Sequence, residues 1–128
     1  ALQVRNIIIC GHSGCGAVAG LLNPELVQGM PAVREWLKHA AVVRDAMADT
    51  GELNAPNALE LAVEANVIAQ LDHLRSHPSV ARGLAENRLA LHGWVYNFVT
   101  GSVMAYRPAE RSFQPLGEQA AADEHGPA

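Results

Sequence analysis

The residues best suited to chemistry are packed into Cys10-Gly11-His12-Ser13-Gly14-Cys15-Gly16. His12 and Cys15 present an imidazole and a thiol at His-x-x-Cys spacing, and Zn2+ accepts both ligand types. The glycines around them let the chain turn tightly enough for two nearby side chains to converge on one ion. A helix pattern begins directly after Cys15, and the positive end of a helix attracts a thiolate, the form of cysteine that binds metal. Two donors fall short of a catalytic zinc site, which takes three protein ligands and keeps one position open for water. On spacing alone, the pair reads either as part of a metal site or as a buried structural cysteine beside a helix-capping histidine.

The same stretch supports rival readings. Gly11-His12-Ser13 after an apolar strand is close to the Gly-x-Ser-x-Gly nucleophile elbow, with Ser13 as nucleophile. The last position of that pattern holds Cys15, whose side chain crowds the sharp turn. Gly11, Gly14 and Gly16 are ordered Gly-x-x-Gly-x-Gly, which is not the dinucleotide fingerprint, and no phosphate-binding lysine follows. Cys10 offers a further thiol but lies in an apolar run, where a cysteine acts as a small buried hydrophobe. A thiol redox role for Cys15 lacks a Cys-x-x-Cys partner.

The elements that must position these residues can be read on either side. Val4 to Cys10, with Ile7, Ile8 and Ile9 in succession, predicts a parallel-type strand covered on both faces. Ala17 to Leu22 starts a helix that Asn23-Pro24 stops. Strand, glycine-rich turn and helix form the arrangement in which α/β folds hold ligands, at the carboxyl ends of strands. Val33, Trp36, Leu37, Ala40, Val43 and Met47 make a helical stripe over about Pro31 to Met47. Asn57 to His77 is the longest helix, with Asn57 and Glu60 at capping-box spacing and Leu59, Val63, Val67, Leu71 and Leu74 on one face. Pro78 closes it, and a shorter helix is predicted over Ser79 to Glu86.

From Leu89 the period changes to two. Leu89, Leu91 and Val95 alternate with His92, Trp94 and Tyr96, Thr100-Gly101 turns the chain, and Ser102 to Tyr106 returns as a partner strand. After Pro108 the apolar pattern fades, so 108–128 reads as a flexible tail, above all Gln119 to Ala128. The fold class is α/β, a mainly parallel β-sheet flanked by helices with a C-terminal edge hairpin near Trp94 to Tyr106.

Composition bounds the function. The chain has 128 residues, 49% of them hydrophobic and 17% charged, with a net charge of -4. That is one domain's length, roughly 100–200 residues, with enough apolar content for a core. Nine Lys plus Arg against thirteen Asp plus Glu argue against nucleic acid as a partner. No apolar run reaches the ~18–20 residues that span a bilayer, and no signal peptide is visible. Two cysteines cannot build a disulfide framework, which points to a reducing compartment, the cytoplasm. The chain opens at Ala1, without Met, almost directly on a strand pattern, as though its beginning were missing.

Ile8 to Ala17, Ile-Ile-Cys-Gly-His-Ser-Gly-Cys-Gly-Ala, resembles the second zinc-ligand motif of the β-class carbonic anhydrases. Glu64-Ala65-Asn66-Val67, with Gln70, Leu74, Pro78 and Val80, is similar to that family's long helix and its proline-stopped end. Leu91-His92-Gly93-Trp94-Val95-Tyr96, followed by Thr100-Gly101, resembles its late strand and hairpin. The three blocks stand in family order and cover most of the chain up to about Tyr106.

The resemblance implies a zinc lyase, a carbonate dehydratase interconverting carbon dioxide and bicarbonate, with His12 and Cys15 as Zn2+ ligands. It also implies a homodimer or higher homo-oligomer, with neither nucleic acid nor membrane as partner. The family's remaining protein ligand is a cysteine in an upstream Cys-x-Asp-x-Arg motif, and that motif is absent from the chain. Its Asp–Arg pair is absent with it, so no catalytic residue is assigned. The expectation is that residues 1–107 are the C-terminal portion of such a domain, a truncated chain incompetent by itself. The alternatives are a non-catalytic zinc-binding or interaction module and a serine hydrolase using Ser13.

Overall fold

In the computed structural model, which describes residues 3–116, the isoleucine run forms the centre of strand β1 (Asn6–His12). The strand continues past the apolar run, so that His12 is its last residue. Five helices follow: α1 (Gly16–Leu22), α2 (Pro31–Leu37), α3 (Ala41–Thr50), α4 (Ala58–Arg75) and α5 (Pro78–Ala85). Strands β2 (Ala90–Tyr96), β3 (Val103–Arg107) and β4 (Ser112–Pro115) complete the described chain. No helix among the described residues is long and apolar enough to cross a membrane.

The strands lie in the order β1-β2-β3-β4. β1 and β2 are parallel, with Cys10 opposite Trp94 and His12 opposite Tyr96. A parallel pair needs a long crossover, and the helices from α1 to α5 supply it. β2 and β3 are antiparallel, with Trp94 opposite Ala105, and β3 and β4 are antiparallel, with Tyr106 opposite Phe113. The α/β class, the flanking helices and the hairpin match the sequence expectation. The described sheet itself is mixed, because short turns between β2, β3 and β4 permit only antiparallel pairing.

Helix α4 lies across β1 and β2, burying Val63, Val67 and Leu71, each at most 3% exposed. The predicted stripe is thus the packing stripe. Contact is close because glycines face it. A Cβ on Gly93 would come within 2.8 Å of Val67 Cγ1 and 2.9 Å of Leu71 Cδ1, and one on Gly11 within 2.9 Å of Val67 Cγ2. Val18 and Leu21 of α1 and Val43 and Met47 of α3 join Ala62 and Val63 in the core beyond α4.

Four expectations are corrected. The stripe from Pro31 to Met47 is broken by a 3-10 turn at Lys38–Ala40. α2 buries no residue and leaves Trp36 73% exposed, so only the second half of the stripe packs. Asn57 precedes α4, but its side chain makes no capping bond, because its backbone (φ -103°, ψ 30°) is not the extended form a cap requires.

β1 is covered on one face only among the described residues: Ile8 is 43% exposed and Cys10 is exposed too, not buried. The alternation of the strand decides this, since Ile7, Ile9 and Gly11 take the side toward α4. Finally, the segment after Pro108 holds β4, anchored by Phe113 against Tyr106 with ring centroids 5.2 Å apart. A single aromatic in a four-residue strand leaves almost no hydrophobic signal. Gln119 to Ala128 lies outside the described residues.

Candidate metal centre

β1 carries His12 to the carboxyl end of the sheet. Its ladder with β2 runs one residue further, with the Ser13 N–H donating to the Tyr96 carbonyl at 2.8 Å. Gly14 then takes φ +62°, the left-handed conformation that side chains resist. The reversal makes Cys15 the residue that caps α1, with extended backbone, its carbonyl accepting the Ala19 N–H at 2.9 Å. Cys15 is half-buried, packed on the core side. It lines an open pocket of about 240 Å³ together with Trp36, His39, Asn66 and Gln70.

The His12 ring is oriented by its neighbour. Its Nδ1 lies 2.8 Å from the Ser13 carbonyl oxygen. A carbonyl can only accept, so Nδ1 carries the proton and Nε2 of the neutral ring keeps a free lone pair. This is how a metal-binding imidazole is normally held, with its second nitrogen donating to a carbonyl or carboxylate. No side chain caps α1, so helix capping is not what the ring does. Its face lies 4.8 Å from the Phe98 ring, the planes tilted by 37°.

Ser13 is committed elsewhere. Its Oγ accepts the Phe98 N–H at 2.9 Å, and the nearby imidazole bonds its carbonyl rather than its hydroxyl. A nucleophilic serine needs a base on Oγ, and none of its bonds among the described residues provides one.

The donors suit zinc in kind and fall short in number. Among the described residues no group of three or more His, Cys, Asp or Glu converges to hold a metal ion. Cys10, two residues before His12 on the open face of β1, is not gathered with the pair. Three other histidines among the described residues have ordinary surroundings: His92 Nε2 lies 2.9 Å from Asn6 Oδ1 across β1 and β2, His39 sits edge-on to Trp36, and His73 meets Gln70. On α4, burial pushes the Glu64 carboxyl up from its ordinary value, and the charge of Glu60 one turn away adds to the shift.

Phe98 is the participant the sequence reading missed. Its signal was present: the alternation His92, Trp94, Tyr96 continues to Phe98, beyond the end of the strand.

Comparison with known proteins was then decisive for the family. The carbonic anhydrase family profile matches residues 1–103. Carbonic anhydrase 1 of Escherichia coli O157:H7 is 44% identical over 116 residues, covering 91% of this chain and 53% of that protein. The carbonic anhydrase of Synechocystis sp. strain PCC 6803 is 40% identical over 108 residues, covering 83% of this chain and 39% of its own. The solved β-carbonic anhydrase CcaA superposes with a TM-score of 0.84 at 37% identity, covering 89% of this chain and 52% of its own. One of two tetrameric β-carbonic anhydrases from Sordaria macrospora matches with a TM-score of 0.69 at 27% identity, over 80% of this chain and 52% of its own. The chain therefore spans about half the length of the relatives it matches, or less. Ligand-type residues on a glycine turn, the crossover helix that backs them and the extent of these matches together show that the chain belongs to the carbonic anhydrase family, in the β class of its structural neighbours.

Proposed function

We propose that the protein to which this chain belongs hydrates carbon dioxide reversibly to bicarbonate as a zinc enzyme, with His12 and Cys15 as two of its zinc ligands. The observation that carries this reading is the Nδ1–H bond from His12 to the Ser13 carbonyl, which frees Nε2 for a metal in a chain of the carbonic anhydrase family, with Cys15 three residues on. Zinc, when bound, supplies a Lewis acid that lets water ionise near neutral pH. This chain's residues would do the holding: β1 and Ser13 orient the imidazole, and Cys15 follows the turn at Gly14 as the residue that opens α1.

The shortfall of donors leads us to read residues 1–107 as the C-terminal portion of the catalytic domain, with the third donor outside these 128 residues. The chain alone is then expected not to turn over. The test is zinc analysis with stopped-flow carbon dioxide hydration on the product of the whole coding sequence. Stoichiometric zinc with rapid hydration supports the reading. A whole coding sequence without Cys-x-Asp-x-Arg, and a product inert in that assay, would favour the second reading, a non-catalytic zinc-binding or interaction module. That reading draws on the same two-donor set.

A homo-oligomer, a dimer or larger, belongs to the proposal. Ile8 and Val4 stand 43% and 52% exposed beside β1, and structural neighbours include tetramers. Sedimentation would test it. The cytoplasm suits two unpaired cysteines, one of them a proposed thiolate ligand.

A further inference from the structure

Phe98 occupies a costly position. It is 62% exposed, in the β2–β3 loop, and adds nothing to the core. Yet it is tethered to the neighbourhood of His12. Its backbone N–H donates to Ser13 Oγ at 2.9 Å. Its ring centroid lies 4.8 Å from that of His12, tilted by 37°, and 5.4 Å from that of Tyr96, edge to face at 82°. The loop that carries it is fixed independently. Asn97 Oδ1 accepts the N–H groups of Val99 and Thr100, and the Asn97 carbonyl accepts the Gly101 N–H at 2.8 Å.

We propose that Phe98 and Ser13 form a clamp that positions the His12 imidazole. Ser13 acts twice, its carbonyl holding the Nδ1 proton and its hydroxyl holding the loop that presents Phe98. Phe98 then packs against the ring, and Tyr96 packs edge-on against Phe98. A histidine at the end of a strand can otherwise swing about its side-chain bonds, and a freely hydrated neutral imidazole prefers its proton on Nε2. The clamp excludes that tautomer and keeps the Nε2 lone pair free. Phe98 is thus a positioning residue, acting through His12. The inference rests on the zinc reading for its purpose, but not for its geometry.

The experiment follows the His12 ring in the metal-free protein by ¹⁵N–¹H correlation, with Zn2+ alone titrated afterwards. Wild type is expected to show the Nδ1–H tautomer and ring-current shifts on the His12 ring protons. Phe98→Ala should move both toward a free imidazole without unfolding, since the side chain is largely exposed. Ser13→Ala should move them in the same direction by a second route, and Phe98→Tyr should restore them. Where wild type binds Zn2+, Phe98→Ala should weaken it about 10-fold or more, the usual cost of losing an outer-shell partner. A His12 spectrum unchanged in both folded alanine variants overturns the clamp. Failure of the product of the whole coding sequence to bind Zn2+, with the tautomer change still present, would count against the zinc reading alone.

Discussion

Gly93 of β2 and Val67 of α4 meet so closely that a single methyl group on the glycine would lie 2.8 Å from Val67 Cγ1. Leu71 closes the same space from the next turn, with its Cδ1 at 2.9 Å. The helix therefore rests on bare backbone, and its distance from the sheet sets where β1 and β2, and hence His12, are held.

Gly93→Ala is expected to cost about 1–3 kcal/mol, the usual penalty for overpacking a close contact. Val67→Ala creates room at the same point, so the double variant should be less destabilised than the sum of the two. Urea denaturation of all four proteins measures the coupling. Strict additivity would show that the contact is not shared.

The two cysteines should behave differently. Cys10 is exposed on the open face of β1 and Cys15 is half-buried beside α1. Alkylation read by mass spectrometry should modify Cys10 whether or not Zn2+ is present, while Zn2+ protects Cys15. Cys10→Ser should leave Zn2+ binding intact. Cys15→Ser or His12→Ala should weaken it by more than the ~10–100-fold that an outer-shell change costs. Equal protection of both thiols would point to a different ligand set.

Glu64 gives the chain a pH dependence. Burial, then the Glu60 charge, raises its folded carboxyl above the ordinary 4.5. The folded state therefore binds this proton more tightly than the unfolded one. Its stabilising effect is complete below about 4.5 and is lost as pH rises through the folded value. Glu64→Gln should be more stable than wild type at neutral pH, by at least the ~0.2–0.5 kcal/mol of an i,i+4 like-charge pair. The difference should close in acid. Thermal melts of both proteins across that range check it, and a gap that widens in acid would contradict the sign.

Ser13 separates the zinc chemistry from a hydrolase. Its hydroxyl accepts the Phe98 N–H, and none of its bonds among the described residues supplies a base. Any ester turnover should survive Ser13→Ala, lowered only as far as the freed His12 ring lowers it, and should be lost in Cys15→Ser. Turnover lost in Ser13→Ala but kept in Cys15→Ser would restore the nucleophile reading.

Much of this was legible in the residues. Three consecutive isoleucines gave β1, Val63, Val67 and Leu71 gave the packing stripe of α4, and the change to period two gave β2 and β3. His12 and Cys15 were marked by residue type and spacing before any coordinates. What escaped depended on three-dimensional neighbours. The open face of β1 is invisible in a run that is apolar at every position, because such a run fits burial on one face as well as on two. β4 has one aromatic to announce it. The split between α2 and α3 follows from how Ala41 to Thr50 turns onto α4, and the stripe looks continuous through it. The grip of Ser13 on the Phe98 loop spans 85 residues, a separation no local pattern reports.

β1 ends the sheet in the described chain, paired with β2 on one side only. Half of its backbone polar groups consequently form a ready template for another strand. That template is register-selective, because a slip of one residue turns every side chain of the incoming strand to the opposite face. Only one of the two phases would set an incoming side chain on the face shared by Ile8, Cys10 and His12. A strand that docks here is thus proofread by alternation, and one that docks out of phase forms the same hydrogen bonds yet delivers to the α4 side the side chains that belong on the His12 face. The border of the sheet acts as a vernier for whatever must be aligned with His12.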